Sequence, residues 1–159
     1  MKKIRIRCFN INLGPYSAEG QDVNINYHPS VFDRVLEAVS ALMVIAGCIY
    51  LVANDGFENK EMLIGFLVNF LVCLLMFTSA YAPVQYIRFP VRISGRNIVK
   101  QYVMALRLMR IVNIFICLML VFNALSINFP WANPAIGIAV TAMLLSIMVY
   151  YIFAIRTNN

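Results

Sequence analysis

Two acids and two arginines are spaced so that ion pairs could join two helices. Asp33 and Glu37 are four residues apart and share one face of a helix, and Arg107 and Arg110, three apart, share another. Glu37 lies one turn inside the predicted first helix, where an unpaired charge would be energetically costly. We therefore predict an interhelical ion-pair cluster of these four residues. A proton or cation relay site is the alternative interpretation.

Three asparagines lie deep in apolar segments, and they are Asn69, Asn113 and Asn123. Polar side chains at such positions commonly make hydrogen bonds between helices, worth about 0.6–2 kcal/mol each. We predict that these residues make polar contacts inside the membrane. Lining a ligand cavity or a permeation route is the alternative.

The other reactive side chains have no catalytic or metal-binding spacing. His28 has no ligand-spaced neighbour and is interpreted as a solvated turn residue beside Pro29. The four cysteines are Cys8, Cys48, Cys73 and Cys117. They form no CxxC or Cys/His motif, so neither disulfides nor zinc are expected. With no phosphate-binding loop or nucleophile elbow either, we expect no catalytic residue, no cofactor, no metal and hence no enzyme.

Four long apolar segments must position these residues, and they span 35–53, 62–82, 111–129 and 135–155. A helix rises about 1.5 Å per residue, so about 20 residues cross a hydrocarbon layer of roughly 30 Å. A chain of 159 residues that is 62% hydrophobic cannot bury its apolar surface as a soluble domain. The predicted fold class is all-α and integral to the membrane, with four transmembrane helices in an antiparallel bundle.

The lysines and arginines orient the predicted helices. Twelve of the thirteen lie before the first segment, between the second and third, or after the fourth. They are Lys2, Lys3, Arg5, Arg7, Arg34, Arg88, Arg92, Arg96, Lys100, Arg107, Arg110 and Arg156. The positive-inside rule places these regions, and therefore both termini, in the cytoplasm. Because the cations lie near helix ends, we assign the net charge of +6 to anionic lipid headgroups at the cytoplasmic face and not to nucleic acid.

Local patterns predict where the first and third helices start. Ser30 followed by Asp33 is a capping box, so the first helix should begin near Val31. Ser94 is the predicted cap of the third helix, which then starts before it enters the membrane.

Alternating residues predict a small cytoplasmic sheet. Residues 3–7 and 24–26 form short extended pieces around a turn at Gly14-Pro15. A similar alternation of apolar residues recurs at 89, 91 and 93, and Pro90 limits that piece to a sheet edge or to the start of a strand.

Two stretches carry a family resemblance. The first is residues 29–39, with the sequence Phe32-Asp33-Arg34-Val35-Leu36-Glu37. The second is Phe89-Pro90-Val91-Arg92-Ile93-Ser94 through Asn97, followed by Gln101-Tyr102 and Arg107-Leu108-Met109-Arg110. These stretches resemble the bacterial membrane family of domain of unknown function 1648, which also occurs in the immunity protein that protects sporulating bacteria from a secreted toxic peptide. The resemblance covers about residues 29–155 and implies a four-helix membrane fold, with no established activity for most members.

The first outer loop departs from that family. Members usually carry a longer loop there, with a Pro-x-His-Phe or Pro-x-His-Trp element. Residues 54–61 of this chain are shorter and contain no histidine. External recognition through that element is therefore not expected here.

These observations lead to one prediction of organisation and two of function. Residues 1–29 form a cytoplasmic N-terminal region, and 30–159 form one transmembrane domain with spans at about 35–53, 62–82, 103–129 and 135–155 and a basic connector at 83–102. The first functional prediction is a non-catalytic protein of the bacterial inner membrane that acts by binding, as an immunity-like, sensory or accessory protein with a protein partner at its cytoplasmic face. The alternative is a small transporter or channel component.

Overall fold

Four long helices dominate the structure, a computed structural model that describes residues 10–18, 25, 27–54, 56–58 and 60–157. The helices are α1 (Val31–Ala53), α2 (Lys60–Ser79), α3 (Ile98–Leu125) and α4 (Ala132–Arg156). All four are long and apolar enough to cross a membrane. The predicted all-α membrane bundle is confirmed, and the chain is a multi-pass membrane protein.

The helix α3 is the centre of the bundle. It packs along each of the other three helices, whereas contacts among those three are sparse in the described part of the chain. Half of its most apolar stretch is buried, against 17% in each of the others. The approach of α1 is close at Gly47, where a Cβ atom would lie 2.5 Å from Cδ2 of Leu120. The outer faces of α1, α2 and α4 are apolar and exposed, as lipid contact requires.

Contacts between helix ends define two ends of the bundle. Near one end, the amide of Gln101 donates to the carbonyl of Ala154 at 3.0 Å, and the hydroxyl of Tyr102 donates to the carbonyl of Ala82 at 3.0 Å. The beginning of α3 therefore lies beside the ends of α2 and α4, and an ion pair between Glu37 and Arg110 brings the beginning of α1 to the same end. We call this the basic end. At the opposite end, Asn128 joins the loop after α3 to the end of α1.

The predicted start of α1 is confirmed. Ser30 is the N-cap, and its hydroxyl accepts from the backbone N–H of Asp33 at 3.3 Å. The Asp33 carboxylate in turn accepts from the backbone N–H of Ser30 at 2.9 Å, which completes the capping box. Two otherwise unpaired backbone donors are satisfied in this way.

The start of α3 corrects the prediction at Ser94. The N-cap is Asn97, three residues later, and its side chain closes the preceding turn by accepting from the N–H of Ser94 at 2.8 Å and donating to the carbonyl of Arg92 at 2.9 Å. The carbonyl of Ser94 accepts from the N–H of Ile98. Ser94 therefore contributes to the start of α3 through its backbone carbonyl and not, as predicted, through its hydroxyl. The helix still begins ahead of the predicted span, as expected.

A three-stranded sheet joins the leader to the connector. Strands β1 (Ile11–Asn12), β2 (Tyr16–Ser17) and β3 (Ile87–Phe89) are arranged in the order β1-β3-β2, with β1 parallel and β2 antiparallel to β3. The turn at Gly14 is confirmed, and only glycine fits there because a Cβ atom would lie 2.3 Å from the carbonyl oxygen of Phe89. Residues 3–7, 24 and 26 lie outside the described residues.

Pro90 ends a central strand, which corrects its predicted place at an edge or a strand start. β3 stops at Phe89 because proline has no N–H with which to continue the ladder. The helix ends also differ from the predicted spans. α2 ends at Ser79 and not at 82, α3 ends at Leu125 and not at 129, and α4 begins at Ala132 with Pro134 in its first turn, where proline is tolerated.

Candidate functional site

The structure brings the four predicted charged residues together at the basic end. Nε of Arg110 lies 2.8 Å from Oε1 of Glu37, and Nε of Arg107 lies 3.4 Å from Oδ1 of Asp33. Both acids come from the first two turns of α1 and both arginines from α3. We call these four residues the charged cluster.

The two ion pairs differ in burial. The Arg110 and Glu37 side chains are 2% and 10% exposed, whereas Arg107 is 44% exposed beside a fully buried Asp33. Coulomb attraction is much stronger away from water. The Glu37–Arg110 pair is therefore the stronger link between α1 and α3.

Two tyrosines enclose the guanidinium of Arg110. Its central carbon lies 5.4 Å from the ring centroids of both Tyr27 and Tyr81, within the range of a cation–π contact. Nη1 donates to the carbonyl of Leu106 at 3.3 Å. Nη2 is buried and has no hydrogen-bond partner among the described residues. Arg110 thus links α1, α3, the end of α2 and the segment before α1.

Asp33 is the most heavily bonded acid of the cluster. One of its oxygens accepts from the hydroxyl of Tyr27, from the hydroxyl of Ser30 at 2.6 Å and from the backbone N–H of Ser30. Burial, with the hydrogen bond to Asp33, raises the pKa of Tyr27 from its usual 10.0 to about 12. Burial, with a hydrogen bond to Glu37, also raises the pKa of Tyr81. Both tyrosines are therefore neutral donors at physiological pH.

An apolar cavity lies beside the charged cluster, between α1, α2 and α3. Its volume is about 300 Å³. It is lined by Ser40, Ala41, Val44, Ile45, Phe70, Cys73, Leu74, Phe77, Asn113 and Cys117. A void of about 10 Å³, bordered by Glu37, Arg110, Ser40 and Asn113, lies between the cavity and the ion pair. Ser40 and Asn113 border both spaces, so the Glu37–Arg110 pair lies next to the cavity on its basic-end side.

Two buried thiols meet in the cavity lining. Sγ of Cys73 and Sγ of Cys117 are 3.2 Å apart, and both cysteines are free, as is Cys48. Cys8 lies outside the described residues. Within the described ranges, no group of three or more potential ligand side chains could hold a metal ion.

The three predicted asparagines occupy different places. Asn113 is 4% exposed and lines the cavity. Asn123 lies nearer the opposite end, where a Cβ atom on Gly65 of α2 would be 2.8 Å from its Nδ2. Asn69 is half-buried in α2 and is not part of the cavity lining. The structure therefore does not bring them together along one path.

Sequence reasoning missed the tyrosines of the site and the polar contacts of α3. Tyr27 and Tyr81 lie outside the helices, so no helical spacing links them to Arg110. The only available signal for Gln101 and Tyr102 was that two polar side chains follow one another near the start of α3. Both join α3 to neighbouring segments. His28 is exposed, in line with a turn residue.

Comparison of the chain with family models, with characterised proteins and with solved structures gives no match. The resemblance described above therefore stays a prediction.

Proposed function

We propose that this chain is a non-catalytic protein of the bacterial inner membrane that acts by binding, as an immunity-like, sensory or accessory protein. Its basic end, with both termini, lies in the cytoplasm. The binding surface is the connector that enters α3, with the exposed cations Arg92, Arg96 and Lys100. We call these three residues the basic platform.

The observation that carries the proposal is a basic segment without acidic residues on an ordered support. Residues 83–110 contain six arginines or lysines and no acidic residue. Within the described part of the chain, none of the three platform cations is in an ion pair. A surface of one sign attracts a partner of the opposite sign and raises its association rate.

The sheet holds this surface in place. Ile87 and Phe89 of β3 are 0% exposed, and β3 is paired on both sides by strands of the leader. The side chain of Asn97 closes the turn that follows. The sheet and this turn hold the connector in one conformation, so less conformational entropy is lost when a partner binds the platform.

The geometry of the charged cluster favours ion pairs that hold two helices together over a proton or cation relay site. Glu37 is paired with Arg110 and Asp33 with Arg107, and the aromatic rings and capping bonds hold the partners in one arrangement. A relay needs a titratable group that can change partners, whereas each acid here is held by an arginine. We therefore assign the cluster to holding α1 against α3, beneath the platform.

The experiment is co-purification from the host membrane. The tagged wild-type protein and the triple variant Arg92→Gln, Arg96→Gln, Lys100→Gln are extracted mildly and analysed by native mass spectrometry. We expect a protein partner in constant ratio with the wild type and its loss from the variant. Recovery of the same partner in the same ratio with the variant would refute the platform as the binding surface.

Two controls separate binding from folding and orientation. Arg156→Gln removes an exposed cation at the same end but outside the platform, and it should retain the partner. A C-terminal fluorescent-protein fusion, which matures only in the cytoplasm, should stay bright in all variants. A dark fusion in the triple variant would instead assign the three cations to topology alone.

A small transporter or channel component is the second candidate. It is favoured by the observation that a polar residue, Asn113, lines the cavity between three helices. If it lies on a transport route, Asn113→Leu abolishes solute uptake in proteoliposomes while Asn69→Leu, outside the cavity, does not. Equal uptake by both variants and the wild type would count against this candidate.

A further inference from the structure

We propose that the cavity between α1 and α2 is a binding site for one anionic phospholipid, with an acyl chain in the cavity and the phosphate on Arg34. The site is separate from the basic platform, so this inference does not depend on the partner proposed above. It requires only that the helices cross a membrane.

The shape of the cavity fits an acyl chain entering from the side of the bundle. Three of its lining residues, Ile45, Leu74 and Phe77, are 54%, 50% and 40% exposed, so the cavity opens on the lipid-facing surface between α1 and α2. Cys73 and Cys117 at its inner side are 3% and 0% exposed. It is therefore a pocket with a lateral mouth.

The size of the cavity favours a chain over a helix of another protein. At about 30 Å³ for a water-sized group, a volume of about 300 Å³ holds roughly ten methylene groups. A helix with side chains is about 10–12 Å across, so it would need far more space than this pocket offers. The lining is almost wholly apolar, which excludes a charged solute as the occupant.

Arg34 lies on the cavity side of α1, toward the basic end. It is seven residues before Ala41, which places the two residues on one face of the helix, about 10 Å apart along its axis. The Arg34 side chain is 66% exposed, and its only ion-pair contact among the described residues is a long one of 4.0 Å to Glu37. Glu37 is itself engaged by Arg110 at 2.8 Å. Arg34 is thus able to meet a phosphate.

The two parts of the site have different roles in selecting a ligand. An acyl chain gains little by leaving the bilayer for an equally apolar pocket, because lipid tails already solvate it. The charge on the headgroup therefore decides which lipid is retained. One arginine near the membrane surface contributes about 1 kcal/mol toward an anionic headgroup, which is about a fivefold preference.

The test is lipid retention measured by native mass spectrometry. The full chain is reconstituted in nanodiscs with equal amounts of phosphatidylglycerol and phosphatidylcholine of the same chain length, then released and weighed. We expect one retained phospholipid, mostly phosphatidylglycerol. Arg34→Gln should lower the ratio of bound phosphatidylglycerol to phosphatidylcholine about fivefold, whereas Arg156→Gln should leave it unchanged.

Two matched variants on α1 test whether the retained lipid occupies the cavity. Ala41→Phe fills the cavity and should remove the retained lipid. Ala46→Phe adds the same side chain at an exposed position that is not part of the lining, and it should retain the lipid. Equal retention by both variants, or no retained lipid in the wild type, would overturn the proposal.

A second measurement avoids any bulky substitution. In a Cys8→Ser, Cys48→Ser background, the remaining thiols, Cys73 and Cys117, both line the cavity. Their alkylation by an uncharged maleimide in detergent should slow when phosphatidylglycerol is added, and slow less with phosphatidylcholine. An alkylation rate that neither lipid changes would contradict occupancy of the cavity.

Discussion

Removing Arg110 should destabilise the protein more than removing any exposed arginine. Its guanidinium is 2% exposed, donates at 2.8 Å to Glu37 and is enclosed by two tyrosine rings. Arg110→Met keeps a long apolar side chain but leaves the Glu37 carboxylate, 10% exposed, without a cation. Breaking a buried pair in this way costs about 3–5 kcal/mol. For a chain of this size, that is a fall in melting temperature of roughly 6–20 °C.

The assay compares the folded fraction after heating in detergent, by size-exclusion chromatography, for four proteins. Arg34→Met removes an exposed cation at 4.0 Å from the same carboxylate, and it should cost about 0–1 kcal/mol. The double variant Glu37→Met, Arg110→Met removes both charges, and it should recover most of the stability lost in the single variant.

Two results would refute this reasoning. If Arg110→Met melts within the error of the wild type, the pair does not link α1 to α3. If the double variant is as unstable as the single one, the loss arises from the aromatic contacts and packing of Arg110 and not from an unpaired Glu37.

Three further outcomes follow from the geometry. Tyr27 has a folded pKa of about 12 against a usual 10.0, so its stabilising contribution is complete below pH 10 and is lost as the pH rises through about 12. In a titration followed by tyrosinate absorbance, the wild type should contain one tyrosine that titrates near pH 12 and that Tyr27→Phe lacks. Gly14→Ala should disrupt the pairing of β1 and β2 with β3, because its Cβ atom would lie 2.3 Å from the Phe89 carbonyl oxygen. Faster cleavage of the leader by a protease would report this. Gly47→Ala should lower stability by about 1–3 kcal/mol through overpacking against Leu120, as measured by thermal unfolding.

The two glycine predictions each have a matched control. Gly95→Ala and Gly137→Ala introduce the same methyl group where nothing lies within 4 Å, so neither should increase cleavage or lower stability. Equal effects at Gly14 and Gly95, or at Gly47 and Gly137, would show that loss of glycine flexibility, and not a clash, is responsible. If Tyr27→Phe instead lacks a tyrosine that titrates near pH 10 in the wild type, the raised pKa of Tyr27 is contradicted.

The parts of the structure that were predictable are those that local physics determines. The capping box of Ser30 and Asp33 needs only residues three positions apart, and the structure contains it. Glu37 required a cation because of its place in an apolar helix, and Arg110 meets that requirement. Turn chemistry at Gly14 was likewise readable, since a glycine-proline pair marks a turn in most contexts.

The central position of α3 could not be predicted from its composition. The most apolar stretches of the four helices have mean hydropathies of 2.3, 2.3, 2.2 and 2.3, so these stretches do not distinguish the helix that contacts protein from those that contact lipid. The cavity depends on how far α1 and α2 separate over α3, which is a property of packing. Tyr27 and Tyr81 reach Arg110 from outside the helices, and no sequence period connects such residues.

Site-specific photo-crosslinking in living cells tests the proposed binding role most directly. A benzophenone-bearing residue is placed at position 96 on the basic platform and, in a second strain, at position 57, an exposed site between α1 and α2 at the opposite end. We expect a protein adduct of one discrete mass from position 96 and none from position 57. Protein adducts from position 57 alone, or from neither position at full expression, would contradict the account.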